Sequence, residues 1–544
     1  MKRTRFCALA VVMLLLASAC NLFPGDPDDE PEPPDVGGAL RVAVTNPGTI
    51  DPSRSTSYAA HMVLQNICEP LVTADPATGE LMPGAAESWT ISDDARTITF
   101  RLKGGVAFHD GTEVKASDYV FSISRFVHSK TGSSRRFWFD RVSGYAAVAS
   151  GTATTISGVT APDEMTLVIK AARPFADLPA VLSHPGAGSA IPKASAEGAG
   201  FASRPGCTGP YQLMAPWDGK SDLRLVRANG YDGGNEAYSL GGRGFVDEII
   251  FDVVGDLDEG YLLLDEGKVH VAEVPVTNRL VEAREVEGRV ETGPSGTVSY
   301  IGFPTHKTPF GNANYRRALS AAIDRGRILT DMLADSRLAP EGMLPPSTGR
   351  ASEESRCDLT RATPDIDAAK QSLADSKATA AEMKFDLHFN NEEDHSIWLT
   401  KVIEGWEEHL NVTASLKSKD LKSLLDDLTE NKVVSPFRMQ WVVEYPSPEA
   451  FLAPLFSSTS PDNFTRYRSE EFAAALSAAR AERDDERRAA LYADAADVLC
   501  QDAPIIVMWF GSRHIAFGED VMSGSLTKVG SLGHPVLREL GLRA

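Results

Sequence analysis

The stretch Ala86–Arg125, AESWTISDDARTITFRLKGGVAFHDGTEVKASDYVFSISR, carries the densest structural pattern in the chain. Its first part predicts a β-hairpin, with a strand at Trp89–Ile91, a turn at Ser92–Asp94 and an alternating return strand at Thr97–Leu102. Glycine-containing turns follow, and an amphipathic helix is expected next, with Ser117 as its N-cap. The stretch therefore predicts mixed α/β structure built on tight turns.

The same stretch holds an adjacent histidine and aspartate, His109 and Asp110, which could be mistaken for a catalytic pair. We interpret His109 as structural, because a histidine beside a turn aspartate usually serves the turn. The chain carries no G-x-S-x-G, H-E-x-x-H or C-x-x-C motif, and its 11 histidines are scattered without metal-ligand spacing. We therefore predict no catalytic residue, no metal and no cofactor.

Length and charge limit the class of protein. A chain of 544 residues is too long for one hydrophobic core, so two or three lobes are expected. The 75 acidic side chains outnumber the 54 lysines and arginines, which argues against a nucleic-acid partner because such proteins need a basic face. The composition suits a protein that works outside the cytoplasm.

The N-terminus has the features of an export signal. A basic segment, Met1–Arg5, precedes an apolar run to Leu16 and the small residues Ala17–Ala19, after which comes Cys20. This order resembles a bacterial lipobox, in which Cys20 becomes the lipidated first residue; an ordinary cleaved signal that ends nearby is the alternative. The acidic, proline-rich segment 20–38 cannot pack, so we expect a disordered tether.

A second stretch, Gln440–Phe451, predicts a buried strand that ends at a carboxylate. Trp441–Val443 are bulky or β-branched, Glu444 follows, and Pro446 and Pro448 stop the ladder. A carboxylate at a buried strand end needs a cation or several N–H donors. Glu444 therefore either reaches solvent, pairs with a nearby lysine or arginine, or waits for a cationic ligand group such as a peptide ammonium.

Both stretches resemble solute-binding protein family 5, the oligopeptide-, dipeptide- and nickel-binding lipoproteins of ABC importers. Ala86–Arg125 matches the W-x-x-S-x-D … T-F-x-L-x-x-G-V-x-F-H-D-G … A-x-D signature nearly throughout, although the family often has glycine where Ala95 stands. Glu444 stands at the acid of the W-x-x-D-Y-x-x-P segment, where aspartate is usual. The extra methylene leaves open whether the ligand is a peptide or another cationic solute.

The resemblance implies an α/β, two-lobed periplasmic-binding-protein-like fold of class II type, cluster C, with an extra subdomain in the first lobe. It divides the chain into a signal peptide (1–19), the lipidated cysteine and tether (20–38), lobe I (39–72, 205–298 and 511–544), the subdomain (73–204) and lobe II (299–510). The four cysteines after Cys20 allow three disulfide connectivities. We favour Cys68 with Cys207 and Cys357 with Cys500, because each pair then lies in one lobe.

The resemblance also implies where a ligand binds. In this family the acid holds the ammonium of a bound peptide. The cleft is bordered by the segment after a D-P turn, here Asp51-Pro52, and by the aromatic residues of a late strand. The alternatives are that the segment after Asp51-Pro52 is the start of a surface helix and that the aromatic residue, Trp509, lies in the core. The candidate ligand-binding residues are Glu444, Gln440, Trp441, Val442, Tyr445, Thr56, Ser57, Tyr58, Trp509 and Tyr300.

We therefore expect a monomeric extracytoplasmic lipoprotein, anchored to the outer face of the cytoplasmic membrane. It would capture short peptides between two lobes by hinge closure and deliver them to the permease and ATPase subunits of an ABC importer. A lipoprotein that binds a non-peptide cationic solute, and a sensor that binds a ligand without transport, are the alternatives.

Overall fold

The computed structural model describes residues 36–198, 200–231, 238, 242–286, 288–349, 356–392, 395–524 and 528–543. The expected signal peptide, Cys20 and most of the tether lie outside these residues. Among the described residues, no helix combines the length and the apolar character needed to cross a membrane.

Strands account for the central layer of the molecule. In chain order they are β1 (Ala39–Thr45), β2 (Val72–Ala74), β3 (Leu81–Pro83), β4 (Ala86–Ile91), β5 (Thr97–Leu102), β6 (Val159–Asp163), β7 (Thr166–Lys170), β8 (Tyr211–Leu213), β9 (Leu223–Arg227), β10 (Glu248–Val254), β11 (Val271–Glu273), β12 (Val290–Gly302), β13 (Lys384–Asn390), β14 (Thr413–Lys419), β15 (Phe437–Val442), β16 (Ile505–Phe517), β17 (Val521–Ser523) and β18 (Leu540–Leu542).

Helices connect these strands. The α-helices span Tyr58–Ile67, Ala116–Val127, Tyr145–Ala149, Leu178–Val181, Pro185–Gly188, Lys193–Ala196, Leu257–Asp265, Asn278–Arg284, Ala313–Ala321, Arg325–Arg327, Ile366–Ser376, His395–Leu410, Leu421–Thr429, Glu449–Phe456, Glu470–Ala481 and Asp485–Asp502. Short 3₁₀ turns include Ser129–Thr131 and Arg136–Phe139, and a π-helical turn covers Ile328–Met332.

One ten-stranded sheet runs through the molecule in the order β14-β13-β15-β12-β16-β11-β1-β10-β9-β8. Two long strands of this sheet, β12 and β16, are 13 residues each and antiparallel, with register shifts between Pro294 and Val298 and between Ser299 and Tyr300. Strands β15, β13 and β14 lie on one side of this pair, and β11, β1, β10, β9 and β8 lie on the other. The expected two-lobed α/β fold is confirmed, and the two long strands join its halves.

A separate four-stranded antiparallel sheet, β4-β5-β7-β6, falls inside residues 73–204. That range is the one expected for the extra subdomain, while the exact lobe boundaries stay a prediction. Its first two strands form the hairpin that Ala86–Arg125 predicts, with Trp89 opposite Phe100 and Ile91 opposite Ile98.

The hairpin turn contains a residue in the left-handed region. Ala95 has φ +51° and is fully buried, and its carbonyl accepts a hydrogen bond from the Phe175 N–H at 2.8 Å. A positive φ suits glycine, the residue that the family resemblance leads one to expect at this position.

Ser117 is not the N-cap of the following helix, so that prediction is wrong. The helix begins at Ala116, and the cap is Lys115, whose backbone N–H donates to the Asp118 carboxylate at 2.8 Å. An aspartate at the third helical position accepts from the backbone N–H of the N-cap residue, whereas a serine at the N-cap would accept from an N–H inside the first turn.

Two disulfides tie distant parts of the chain. Cys68 bonds to Cys207 with Cα atoms 4.9 Å apart, and Cys357 bonds to Cys500 with Cα atoms 5.7 Å apart. These are the two pairs favoured from the sequence. The first fixes the end of helix Tyr58–Ile67 to the glycine-rich turn before β8, in a fully buried position.

His109 packs against that same glycine-rich turn. Its Nε2 lies 3.1 Å from the Gly209 carbonyl oxygen, and its backbone N–H donates to the Cys207 carbonyl at 2.9 Å. Burial lowers the pKa of His109 to about 4. The side chain therefore holds the turn as a neutral donor, in agreement with a structural role.

We predict that His109 makes the protein less stable in acid. Because its pKa is lower in the native state than in the unfolded chain, the unfolded chain takes up the extra proton between about pH 6.5 and 4. The free energy of unfolding should fall through that window by on the order of 2–3 kcal/mol from this group alone, and not change above it. Urea unfolding of the protein and of His109→Gln at pH 7 and pH 4.5 measures this; an equal acid loss in both would contradict it.

Candidate ligand-binding site

The site is built at the end of β15. This strand starts at Phe437, earlier than predicted, and ends at Val442, where the turn before helix Glu449–Phe456 begins. The expectation that the whole apolar run is buried is wrong: Val443 is buried, but Val442 is 46% exposed and Trp441 is half-buried. The strand has one face on the core and one open face, so alternate side chains leave the core.

One edge of β15 is free near its end. On the other edge it pairs with β12, with Val442 opposite Thr297 and the Val443 N–H donating to the Gly296 carbonyl at 2.8 Å. Since N–H and C=O groups alternate in direction along a strand, those of Gln440 and Val442 point away from β12. Within the described part of the chain, β13 reaches this edge only at Phe437.

Glu444, two residues past the strand, contacts an arginine from a distant segment. The Arg135 Nε donates to Glu444 Oε1 at 2.6 Å, and Arg135 Nη2 contacts the same oxygen. The two side chains are 12% and 26% exposed. The sequence left three interpretations of Glu444 open. In the structure Glu444 pairs with an arginine.

The same guanidinium reaches a third segment, the one that precedes helix Tyr58–Ile67. Arg135 Nη1 donates to the Ser55 carbonyl oxygen, and Nη2 lies 3.5 Å from the Thr56 carbonyl oxygen. Arg135 thus joins the start of helix Tyr58–Ile67 to the end of β15. The sequence does not reveal this residue, because nothing in the local pattern of Arg135 and Arg136 marks one of them as an inward-pointing cation.

The segment after the Asp51-Pro52 turn was interpreted either as part of the cleft or as the start of a surface helix, and its residues differ in this respect. Ser57 is a helix N-cap: its Oγ accepts from the Ala60 N–H at 3.1 Å and donates to the Pro47 carbonyl at 2.7 Å. Thr56 is exposed and presents its carbonyl to Arg135. Tyr58 donates its hydroxyl to the Gly533 carbonyl at 2.9 Å.

The other aromatic candidates pack inside the protein. Trp509 is 6% exposed and meets Trp398 edge to face, with ring centroids 4.8 Å apart, and Tyr300 is 2% exposed. Tyr445 is 5% exposed, and Trp441 donates its indole N–H to the Ala450 carbonyl at 2.7 Å. Tyr445 directly follows Glu444, whereas Trp509 takes the core position that was the alternative for it.

A row of aromatic rings forms the wall behind Glu444. His534 stacks on both Tyr58 and His61 with centroids 4.5 and 4.4 Å away, and His61 meets His184 at 4.9 Å. Trp138 continues the row from His184 at 5.1 Å to Tyr445 at 5.3 Å.

Burial keeps the histidines of this wall neutral. Burial first, and the Arg135 charge second, lower the pKa of His61 to about 3. The pKa values of His184 and His534 are lowered well below the usual range, mainly by burial. Across the described ranges, no group of three histidine, cysteine, aspartate or glutamate side chains is placed to hold a metal ion.

A cavity of about 750 Å³ opens past the end of β15. It is lined by the turn that follows Glu444 (Pro446–Pro448), by β12 at Thr292–Pro294, and by Gly79 and Tyr492. A smaller cavity of about 70 Å³ touches Glu444 itself. The larger volume is within the usual range for small-ligand sites, about 300–1,000 Å³.

A family comparison gives the protein its class. Residues 80–463 match the family model described as "Bacterial extracellular solute-binding proteins, family 5 Middle". The chain belongs to this family. The match covers well over half of the chain and confirms the resemblance inferred from Ala86–Arg125 and the Glu444 segment.

Three named relatives come from Escherichia coli strain K12. The chain is 26% identical over 514 residues to the periplasmic murein peptide-binding protein MppA, covering 92% of this chain and 91% of that protein. It is 25% identical over 487 residues to the oligopeptide-binding protein OppA, covering 85% of each. It is also 24% identical over 474 residues to YgiS, named a probable deoxycholate-binding periplasmic protein, covering 86% of each.

Solved structures share the fold. The unliganded open form of the MppA murein tripeptide-binding protein superposes with a TM-score of 0.79 at 23% identity, covering 94% of this chain and 99% of that one. The family 5 architecture thus extends over nearly the whole described chain.

Proposed function

We propose that this protein captures short peptides between its two lobes and delivers them to an ABC importer. The observation that carries the proposal is the placement of Glu444 at the end of a strand whose edge is free, opposite the carbonyl oxygens of Ser55 and Thr56. A carboxylate and carbonyl groups are the acceptors that a peptide ammonium needs.

The peptide main chain is held by the free edge of β15. The N–H and C=O groups of Gln440 and Val442 pair with the ligand as an added strand does, so most affinity comes from backbone and little from ligand side chains. The cavity of about 750 Å³ takes those side chains and water. The names of MppA and OppA support a peptide ligand.

Capture proceeds by closure about β12 and β16, the two strands that join the halves of the large sheet. The closed form then docks on the permease subunits, and the ATPase subunits drive transport. Lipidated Cys20 and the tether 20–38 hold the monomer at the outer face of the cytoplasmic membrane. No catalytic step is part of this function.

A second candidate is a non-peptide solute. Two observations favour it: Glu444 already has a cationic partner in Arg135, and the YgiS relative is named for a bile acid. A sensor without transport uses the same site. Both retain the fold and the closure but need no ammonium at Glu444.

Thermal unfolding with and without ligand tests the peptide proposal. A pool of free-amine tetrapeptides should stabilise the protein, by about 2.7 kcal/mol when the binding peptide is present at 100 times its Kd. Small-angle scattering should show a smaller radius of gyration on the same addition. A pool that leaves both the melting curve and the scattering curve unchanged contradicts the proposal.

A further inference from the structure

Arg135 fills the place that the ligand's cation is proposed to take. Its Nε and Nη2 donate to Glu444 Oε1, its Nη1 donates to the Ser55 carbonyl, and its Nη2 faces the Thr56 carbonyl. Four of its five N–H groups are therefore directed at the acceptors that would bind an ammonium.

A guanidinium and an ammonium cannot share these acceptors. Both are positive, and with the site partly buried the repulsion between them is not screened as it is in water. We propose that Arg135 is a specificity-determining residue, a resident cation that the ligand's ammonium must displace from Glu444. This inference rests on the proposed function, since it needs a ligand that brings an ammonium to this carboxylate.

The structure offers Arg135 a second resting place. Its guanidinium carbon lies 5.7 Å from the centre of the Trp138 ring, within the range of a cation–π contact. A small rotation away from Glu444 would lay the guanidinium on this ring. The arginine can therefore leave the carboxylate without being left buried and unpaired.

Displacement selects among amines. A free amino acid or simple amine gains only the acceptors that Arg135 gives up and competes with Arg135 on nearly equal terms. A peptide gains the same acceptors and, in addition, main-chain hydrogen bonds to Gln440 and Val442. The resident arginine thus sets a threshold that favours peptides over other small cations.

Arg135→Met tests the competition, because methionine keeps an unbranched apolar stem and removes the charge. Calorimetric titration should show that a free-amine tetrapeptide pool binds the variant at least tenfold more tightly than the unchanged protein. The same pool with acetylated N-termini should bind both within twofold. The matched control is Arg136→Met, which removes the neighbouring charge and should leave both affinities unchanged.

An unchanged or weaker affinity of Arg135→Met for the free-amine pool overturns the inference while leaving peptide binding in place. If neither the unchanged protein nor the variant binds the pool, the inference and the proposed function both fail. Arg135→Lys covers the case in which the methionine variant does not fold. Lysine offers three donors on one nitrogen where arginine offers five in a planar fork, so it holds Glu444 and Ser55 less firmly and free-amine affinity should rise severalfold; no rise overturns the inference.

Discussion

Replacing Glu449 with alanine is expected to lower the free energy of unfolding by about 3–5 kcal/mol, the cost of breaking a buried ion pair. Glu449 is 5% exposed, at the start of helix Glu449–Phe456. Arg480 Nε lies 3.0 and 2.9 Å from its two oxygens, and Arg480 Nη2 lies 2.6 Å from Oε1.

The large cost follows from what surrounds this carboxylate. Arg141 Nε lies 4.0 Å from Glu449, and the side chains of Arg141 and Arg480 are 10% and 13% exposed. Without Glu449, two guanidinium groups face each other with little water between them. The Tyr492 hydroxyl, 3.3 Å from Glu449 Oε2 and bonded to Asp177, also loses an acceptor.

Urea unfolding of Glu449→Ala beside Asp426→Ala measures the effect. Asp426 pairs with Lys422 on an exposed helix face, with 59% and 85% of their side chains exposed, so its loss should leave stability unchanged. Equal unfolding midpoints for the two variants would show that the contacts of Glu449 do not stabilise the packing of residues 141–177 on residues 449–492.

Glu444→Gln is expected to weaken the binding of free-amine peptides by about 2–4 kcal/mol. The change removes the carboxylate charge that attracts the ammonium and leaves the Arg135 guanidinium next to it. Glutamine keeps the size of the side chain, so the loss reports charge and not packing.

Calorimetry with a free-amine peptide and with its N-acetylated form separates the contribution of the ammonium from that of the rest of the peptide. The acetylated peptide brings no charge to Glu444, so its affinity should be the same for the protein and for the variant. Equal affinity of both proteins for the free-amine peptide would remove Glu444 from the ligand site.

The sequence was sufficient for the class of fold because its markers are local. The hairpin of β4 and β5 depends on alternation and turn residues within forty positions, and these are legible without the structure. The end of β15 is equally legible, since Pro446 and Pro448 stop any ladder. Ser117 was misplaced because the sequence pattern does not show at which residue the first helical turn begins, and the helix begins at Ala116.

The candidate site was harder to predict because its contacts are not local. Arg135 and Glu444 are 309 positions apart, and only the assembled fold brings the guanidinium to the carboxylate. Trp509 illustrates the opposite case: an aromatic side chain on a late strand was assigned to the cleft, yet it packs against Trp398 in the core. Periodicity tells which residues alternate along a strand, but not which face meets a neighbour.

The most direct test of the account is mass spectrometry of the molecules that the protein releases on mild denaturation after purification from its native host. The account predicts a set of short peptides with free N-termini and varied sequences. A single non-peptide solute, found repeatedly and in stoichiometric amount, would contradict the peptide assignment and leave only the family and the fold.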